Sequence, residues 1–233
     1  MILKNDVNSN NIKLLIYDVD GTLVEFNTLF DLLKESFNIH GITFKNEYFN
    51  DYVLSVSNAL EENRNDFGHR SLSNSFDKYF KIIKENNIDG KDYLETLLSL
   101  EYKYTDTFEG VSDTLKQLYE IYPQVISTNW FKESQKVKVD KFNLLKYFQK
   151  IYSCELYYPK PNQKHFERIS NDYKLQPGEC LVIGDSITDV KASNYGYNTL
   201  LVDYNSKKEN LYDLSSSVVT DFKDIEKVLT RKK

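Results

Sequence analysis

The chain of 233 residues has few of the residues that punctuate or staple a backbone: four prolines, eight glycines and two cysteines. That scarcity of Gly and Pro excludes collagen-like, linker-rich and low-complexity architectures. Cys154 and Cys180 are too few for a disulfide scaffold and lack metal-ligand spacing, so both read as buried thiols in a reducing compartment. No run approaches the ~18 consecutive apolar residues of a membrane span, and the opening MILKNDVNSNNIK lacks the apolar core of a secretory signal. The expected location is cytoplasmic, with no membrane partner. Positive charge is not in excess either. Thirty Lys and Arg against 35 Asp and Glu give a net charge of −5, which argues against a nucleic-acid polymer as partner. Aromatic residues are plentiful, with 18 Tyr and 14 Phe, which favours a packed core over disorder.

Five apolar runs have strand length: Leu14–Tyr17, Val125–Ser127, Ile151–Cys154, Leu181–Ile183 and Thr199–Val202. Segments with helical period alternate with them, at Val111–Tyr122, Ser134–Phe148, Gln163–Tyr173 and Ile187–Tyr195. This alternation predicts an α/β fold: a Rossmann-like parallel sheet in three α/β/α layers. Val218–Thr220 and Ile225–Leu229 predict a last strand and a closing helix. The stretch 25–105 differs. Leu32, Leu33, Phe37, Tyr48, Tyr52, Leu54, Phe76, Tyr79, Phe80, Ile83, Tyr93, Leu97 and Leu98 fall at helical spacing there, without a convincing strand. Breaks at His40–Gly41, Gly68 and Asp89–Gly90 suit helix C-termini or turns, which predicts about four helices. The expected organisation is a core of residues 1–24 and 106–233 with an all-helical cap domain inserted at 25–105.

In an open parallel sheet, ligands bind beyond the carboxyl ends of the strands. The tails of the expected strands are Asp18-Val19-Asp20-Gly21-Thr22, Thr128-Asn129-Trp130, Pro159-Lys160-Pro161-Asn162 and Gly184-Asp185-Ser186-Ile187-Thr188-Asp189. Carboxylates, a hydroxyl and an ammonium would therefore meet on one rim. Crowded carboxylates need a cation, and an all-oxygen donor set suits Mg²⁺ rather than zinc. A carboxylate beside such an ion can attack phosphorus, and a second carboxyl two residues on can protonate the leaving oxygen and then deprotonate water. Lys160 and Thr128 would stabilise the transferring phosphoryl group.

These four segments, in this order, resemble the motifs of the haloacid dehalogenase-like superfamily, and the resemblance spans the chain. It implies that Asp18 is the nucleophile and Asp20 the general acid/base. It implies a Mg²⁺ cofactor held by the Asp18 and Asp185 side chains and the Asp20 backbone carbonyl, with Asp189 supporting metal-bound waters. Thr128 and the Asn129 backbone amide would grip the phosphate. Lys-Pro-Asn followed by His165-Phe166 assigns the motif lysine to Lys160, in place of the register that would put Tyr158 there. Asp20 points to the phosphatase branch, because the dehalogenases proper lack a functional second aspartate. The expected reaction is hydrolysis of a small phosphorylated metabolite: a nucleotide, a sugar phosphate or phosphoglycolate. A phosphomutase, a phosphonate hydrolase using one of the insert lysines, and a non-catalytic phosphate- or partner-binding domain stay open, as do monomer and homodimer.

Other residues carry weaker readings. Trp130 reads first as a packing anchor and second as part of the site's mouth. His69-Arg70 is either a substrate contact or a solvated turn. His40 reads as a helix-end residue, and His165, lacking a partner at ligand spacing, is given no metal or catalytic role.

Overall fold

A computed structural model describes residues 1–25, 29–65, 77–78, 80–153 and 158–230. The strands among them are β1 (Ile2–Asn5), β2 (Leu14–Tyr17), β3 (Val24–Glu25), β4 (Asp106–Thr107), β5 (Gln124–Thr128), β6 (Lys150–Ser153), β7 (Cys180–Gly184), β8 (Asn198–Val202) and β9 (Ser217–Val219). Seven form one sheet in the order β1-β9-β8-β7-β2-β5-β6. Its neighbouring pairs are parallel except β1 against β9.

Strand β2 explains the layering. All four of its residues are fully buried, because alternate side chains enter opposite cores. Leu15 and Tyr17 join Val111, Leu115, Leu118, Ile225 and Val228 on one face. Leu14 and Ile16 join Phe166, Ile169, Ala192 and Cys180 on the other. A strand covered on both faces has no polar alternation, which is why the continuous apolar run is its sequence signal. The expected three-layer α/β fold is therefore present. Cys180 is a buried thiol, as expected, and burial pushes it up to about 12; Cys154 lies outside the described residues.

Two expected helices are shorter than their spacing suggests. The helix Val111–Tyr119 closes when the Ile121 and Tyr122 amides turn back onto the Leu118 carbonyl, just before Pro123. The expected helix over 134–148 is instead Lys132–Lys141 and a 3₁₀ turn at Leu145–Tyr147, separated by Asn143 in the left-handed region at φ 55°. After β7, Ile187–Val190 tightens into a 3₁₀ segment over Lys191–Tyr195.

Between β3 and β4 the described residues form α1 (Leu29–Ile39), α2 (Asn46–Asn65) and the helices Lys81–Glu85 and Gly90–Tyr104. The two-residue strands β3 and β4 pair antiparallel where this excursion leaves and rejoins the sheet-bearing part of the chain. Leu32, Leu33, Phe37, Tyr52, Phe80, Ile83, Tyr93 and Leu97 make a second apolar cluster, which Phe131 joins from the sheet-bearing part of the chain. Phe37 lies at its centre, with ring centroids of Tyr48, Phe80 and Tyr93 at 5.2, 5.8 and 5.9 Å. Leu54 does not join it and is 59% exposed. Gly41 ends its helix as expected, in the left-handed region at φ 73°. Asp89–Gly90 is a helix start, contrary to expectation: the Asp89 side chain caps the amides of Lys91 and Asp92. Gly68, His69, Arg70, Phe76 and Tyr79 lie outside the described residues.

Candidate active site

β5 and β7 flank β2 on opposite sides, so the strand order reverses there and a crevice opens beyond the carboxyl ends of the three strands. Asp18 extends β2 directly, its amide donating to the Ile183 carbonyl at 2.9 Å. The chain then folds tightly: the amides of Thr22, Leu23 and Val24 all turn onto the Val19 carbonyl. Gly21 makes this turn possible. It sits at φ 78°, and a Cβ there would strike the Asp185 carboxylate. A Cβ on Gly184 would likewise overlap the Asp189 carboxyl.

The crevice holds a cavity of about 270 Å³ lined by Asp18, Asp20, Thr128, Asn129, Trp130, Lys160 and Thr188. Oxygen atoms of Asp18, Asp185 and Asp189 lie within 4.8 Å of one another. The structure thus brings together every residue that the four motifs nominated.

Lys160, 3% exposed, is the cationic centre. Its ammonium lies 2.9 Å from Asp18 Oδ1, 2.6 Å from Asp189 Oδ1 and 3.0 Å from the Ser127 carbonyl, which uses all three of its donors. Burial alone would depress Lys160, but the Asp18 and Asp189 carboxylates outweigh it and hold the lysine above its ordinary value. The loop carrying it is clamped by Asn129. The Lys160 amide donates to Asn129 Oδ1 at 2.6 Å, and Asn129 Nδ2 donates back to the Lys160 carbonyl at 2.9 Å.

The negative charges remain under-compensated. Burial, reinforced by Asp189 and Asp185, pushes Asp18 up to about 8 despite the opposing Lys160. Burial also raises Asp185 in spite of Lys208, which donates to Asp185 Oδ2 at 2.5 Å. A donor set of crowded carboxylate oxygens, with no nitrogen or sulfur among them, fits a hard divalent cation. Asp189 has less capacity than its neighbours to bind one. Its Oδ1 receives Lys160, and its Oδ2 receives the Ser186 hydroxyl at 2.6 Å and the Ser186 amide at 3.2 Å.

Thr128 is pre-set as a donor. Its Oγ1 accepts the Trp130 amide at 3.0 Å and Gln135 Nε2 at 3.1 Å. A hydroxyl with both acceptor positions taken has its hydrogen left to give, and Thr128 lines the cavity. Trp130 fulfils both of its sequence readings. It lines the cavity and packs on the edge of the helical core, 6.5 Å from the Tyr52 ring centroid.

Sequence reasoning missed three polar side chains at this rim. Gln135 and Lys138 reach Asp20 from the helix Lys132–Lys141, at 2.5 and 2.9 Å. Lys208 reaches Asp185 from a turn ordered by Asp203, whose carboxylate accepts the Lys207 and Lys208 amides and the Tyr212 hydroxyl. These partners lie 23 to 118 residues away in the chain, so no short motif announces them. His165 was legible in principle. It shares the buried face of the helix Gln163–Asp172 with Phe166 and Ile169, an i, i+1, i+4 pattern.

His165 is fully buried, receives or gives a hydrogen bond with Ser127 Oγ at 2.8 Å, and pairs with the Tyr158 carbonyl. It thereby pins β5 to the Lys160 loop. Burial, assisted by the Lys160 charge, pushes it down to about 4 from 6.5. A depressed base favours its neutral form, so this contribution to stability is full above pH 6.5 and is lost as pH falls through 4. The expected loss over that window is roughly 3 kcal/mol relative to His165→Asn. Urea midpoints measured across the window check this; parallel curves for the two proteins would contradict it.

A sheet-edge crevice of this kind, with paired carboxylates, a buried lysine and a donor hydroxyl, defines a hydrolase of the doubly wound α/β class. Residues 15–202 match the family described as haloacid dehalogenase-like hydrolase, and the chain belongs to it. The pyrophosphatase PpaX of Anoxybacillus flavithermus is 23% identical over 194 residues, covering 79% of this chain and 80% of that protein. Among solved structures, a 2-haloacid dehalogenase from Pseudomonas syringae superposes with a TM-score of 0.72 at 20% identity, over 94% of this chain and 99% of that one. The HAD-hydrolase YfnB from Bacillus subtilis, solved bound to magnesium, gives 0.68 at 18% identity over 94% and 99%. At these identities the structural likeness establishes the fold.

Proposed function

We propose that the protein is a Mg²⁺-dependent phosphatase that hydrolyses a small phosphorylated metabolite through an aspartyl phosphate on Asp18. The observation that carries this reading is the Asp18 carboxylate, set at the rim 2.9 Å from the Lys160 ammonium and crowded by Asp185 and Asp189. The Asp18 and Asp185 side chains and the Asp20 backbone carbonyl would hold the metal, with Asp189 behind them. When bound, Mg²⁺ offsets the crowded negative charge, which favours ionised Asp18 and draws charge from the phosphoryl oxygens.

The chain's own groups account for the rest. Asp18 attacks phosphorus as the bond to the leaving oxygen breaks, and the Asp20 carboxyl gives that oxygen its proton. Asp20, now ionised, then takes a proton from the water that attacks the phosphoenzyme and releases Asp18. The Thr128 hydroxyl and the Asn129 backbone amide donate to the phosphoryl oxygens throughout, and the Lys160 charge beside Asp18 offsets their negative charge. Residues 25–105 act as a cap on a core of 1–24 and 106–233, excluding water during the first transfer.

The pyrophosphatase relative and the magnesium-bound neighbour agree with this chemistry. A cavity of about 270 Å³ lies just below the usual range of ligand pockets, which agrees with a small substrate. The test is a panel of nucleotides, sugar phosphates, phosphoglycolate and pyrophosphate. Phosphate release is expected with Mg²⁺, is abolished by chelation and returns when Mg²⁺ is restored. Undiminished turnover in excess chelator would sink the metal assignment. An inert protein across the panel would favour a binding role.

A further inference from the structure

The helix Lys132–Lys141 buries an unusual face. Ser134, Gln135, Lys138 and Val139 point inward, and Lys138 is 1% exposed. An apolar side chain would occupy that position at lower cost, because a buried ammonium loses its hydration and regains it only through well-placed partners. Lys138 has such partners on two sides. Its ammonium lies 2.9 Å from Asp20 Oδ1 and 4.0 Å from Oε1 of Glu101, which is itself buried in the insert helix Gly90–Tyr104. Gln135, one turn earlier on the same face, donates to the other Asp20 oxygen at 2.5 Å and to Thr128 at 3.1 Å. Both oxygens of Asp20 are therefore fixed from behind by one helix. Asp20 itself remains 38% exposed to the crevice.

We infer that Lys138 is a positioning residue for Asp20, and that through Glu101 it ties the placement of that carboxyl to the insert helix Gly90–Tyr104. The inference rests on the reading of Asp20 as the proton donor to the leaving oxygen. Lys138 transfers no proton. It orients the carboxyl that gives one to the leaving oxygen and regains one from water. A misplaced acid matters most when the leaving group needs a proton, so the signature is a dependence on leaving group.

The experiment compares kcat/KM for an alkyl phosphate and for dinitrophenyl phosphate, whose leaving group departs without protonation. The proteins are wild type, Asp20→Asn, Lys138→Met, Lys138→Arg and the double variant Lys138→Met with Glu101→Gln. The double variant leaves no unpaired buried charge at Glu101 and carries the test if Lys138→Met alone does not fold. Lys138→Met and the double variant are expected to lose about 100-fold on the alkyl ester and little on the activated one. Lys138→Arg should recover part of the loss. Equal losses on both esters, or none, would overturn the inference, provided that Asp20→Asn shows the bias. If Asp20→Asn shows no leaving-group bias, the assignment of Asp20 as the acid fails instead.

Discussion

Asp18→Asn is expected to lower kcat by a factor on the order of 10⁴ or more, as removal of a nucleophile does, while the protein stays folded. The loss follows from chemistry that amide oxygen and nitrogen cannot perform: neither accepts the phosphoryl group. The effect on stability should have the opposite sign. Asp18 is raised from 3.8 to about 8 in the metal-free protein, chiefly by burial and then by its acidic neighbours against the pull of Lys160. For an acid with a raised folded value, the stabilising contribution is present below the unfolded value and is lost as pH rises through the folded one. Metal-free wild type should therefore weaken relative to Asp18→Asn as pH rises from about 4 to 8. Adding Mg²⁺ should restore wild type far more than the variant. Thermal midpoints at several pH values, with and without Mg²⁺, check both statements. A variant that is inactive because it has unfolded would contradict this account.

Lys160→Met is expected to damage both properties together. It removes the cation that lies within 2.9 Å of Asp18 and 2.6 Å of Asp189, so two buried carboxylates lose their partner at once. Breaking a buried pair from one side costs on the order of 3–5 kcal/mol. The Ser127 carbonyl loses its donor as well, while the Asn129 clamp, which grips the main chain of residue 160, stays in place. Activity should fall by a factor of about 10²–10³, the range seen when one donor to a developing charge is lost. Mg²⁺ should recover part of the stability and little of the rate, because it offsets charge without replacing the lysine's position. Denaturant midpoints and single-turnover rates separate the two effects. A variant with wild-type stability would mean that Asp18 and Asp189 do not depend on Lys160.

The contrast between these substitutions reflects what the chain discloses locally. Strand β2 was legible as Leu14–Tyr17 because burial on both faces leaves an unbroken apolar run. The residues that follow each strand were legible because a parallel sheet delivers its strand tails to one rim. β1 was not legible. It is a four-residue, partly exposed edge strand whose Ile-Leu-Lys-Asn carries no strand pattern of its own, and only β9, more than 200 residues later, gives it a partner. Gln135 and Lys138 were hidden for a related reason. Their helix is so polar that its inward face has no hydrophobic stripe, and the carboxylate that explains them is 115 and 118 residues distant. The left-handed turn at Asn143 also gave no warning, since the apolar spacing of Leu144, Leu145 and Phe148 continues the helical period beyond it.

A covalent phosphoenzyme on Asp18 can be trapped during turnover with borohydride, which reduces an acyl phosphate to the alcohol. Mass spectrometry of the digested protein should then find Asp18 recovered as homoserine, only when substrate and Mg²⁺ are both present. Reduction at another carboxylate, or unmodified Asp18 during steady turnover, would contradict nucleophilic attack by this residue.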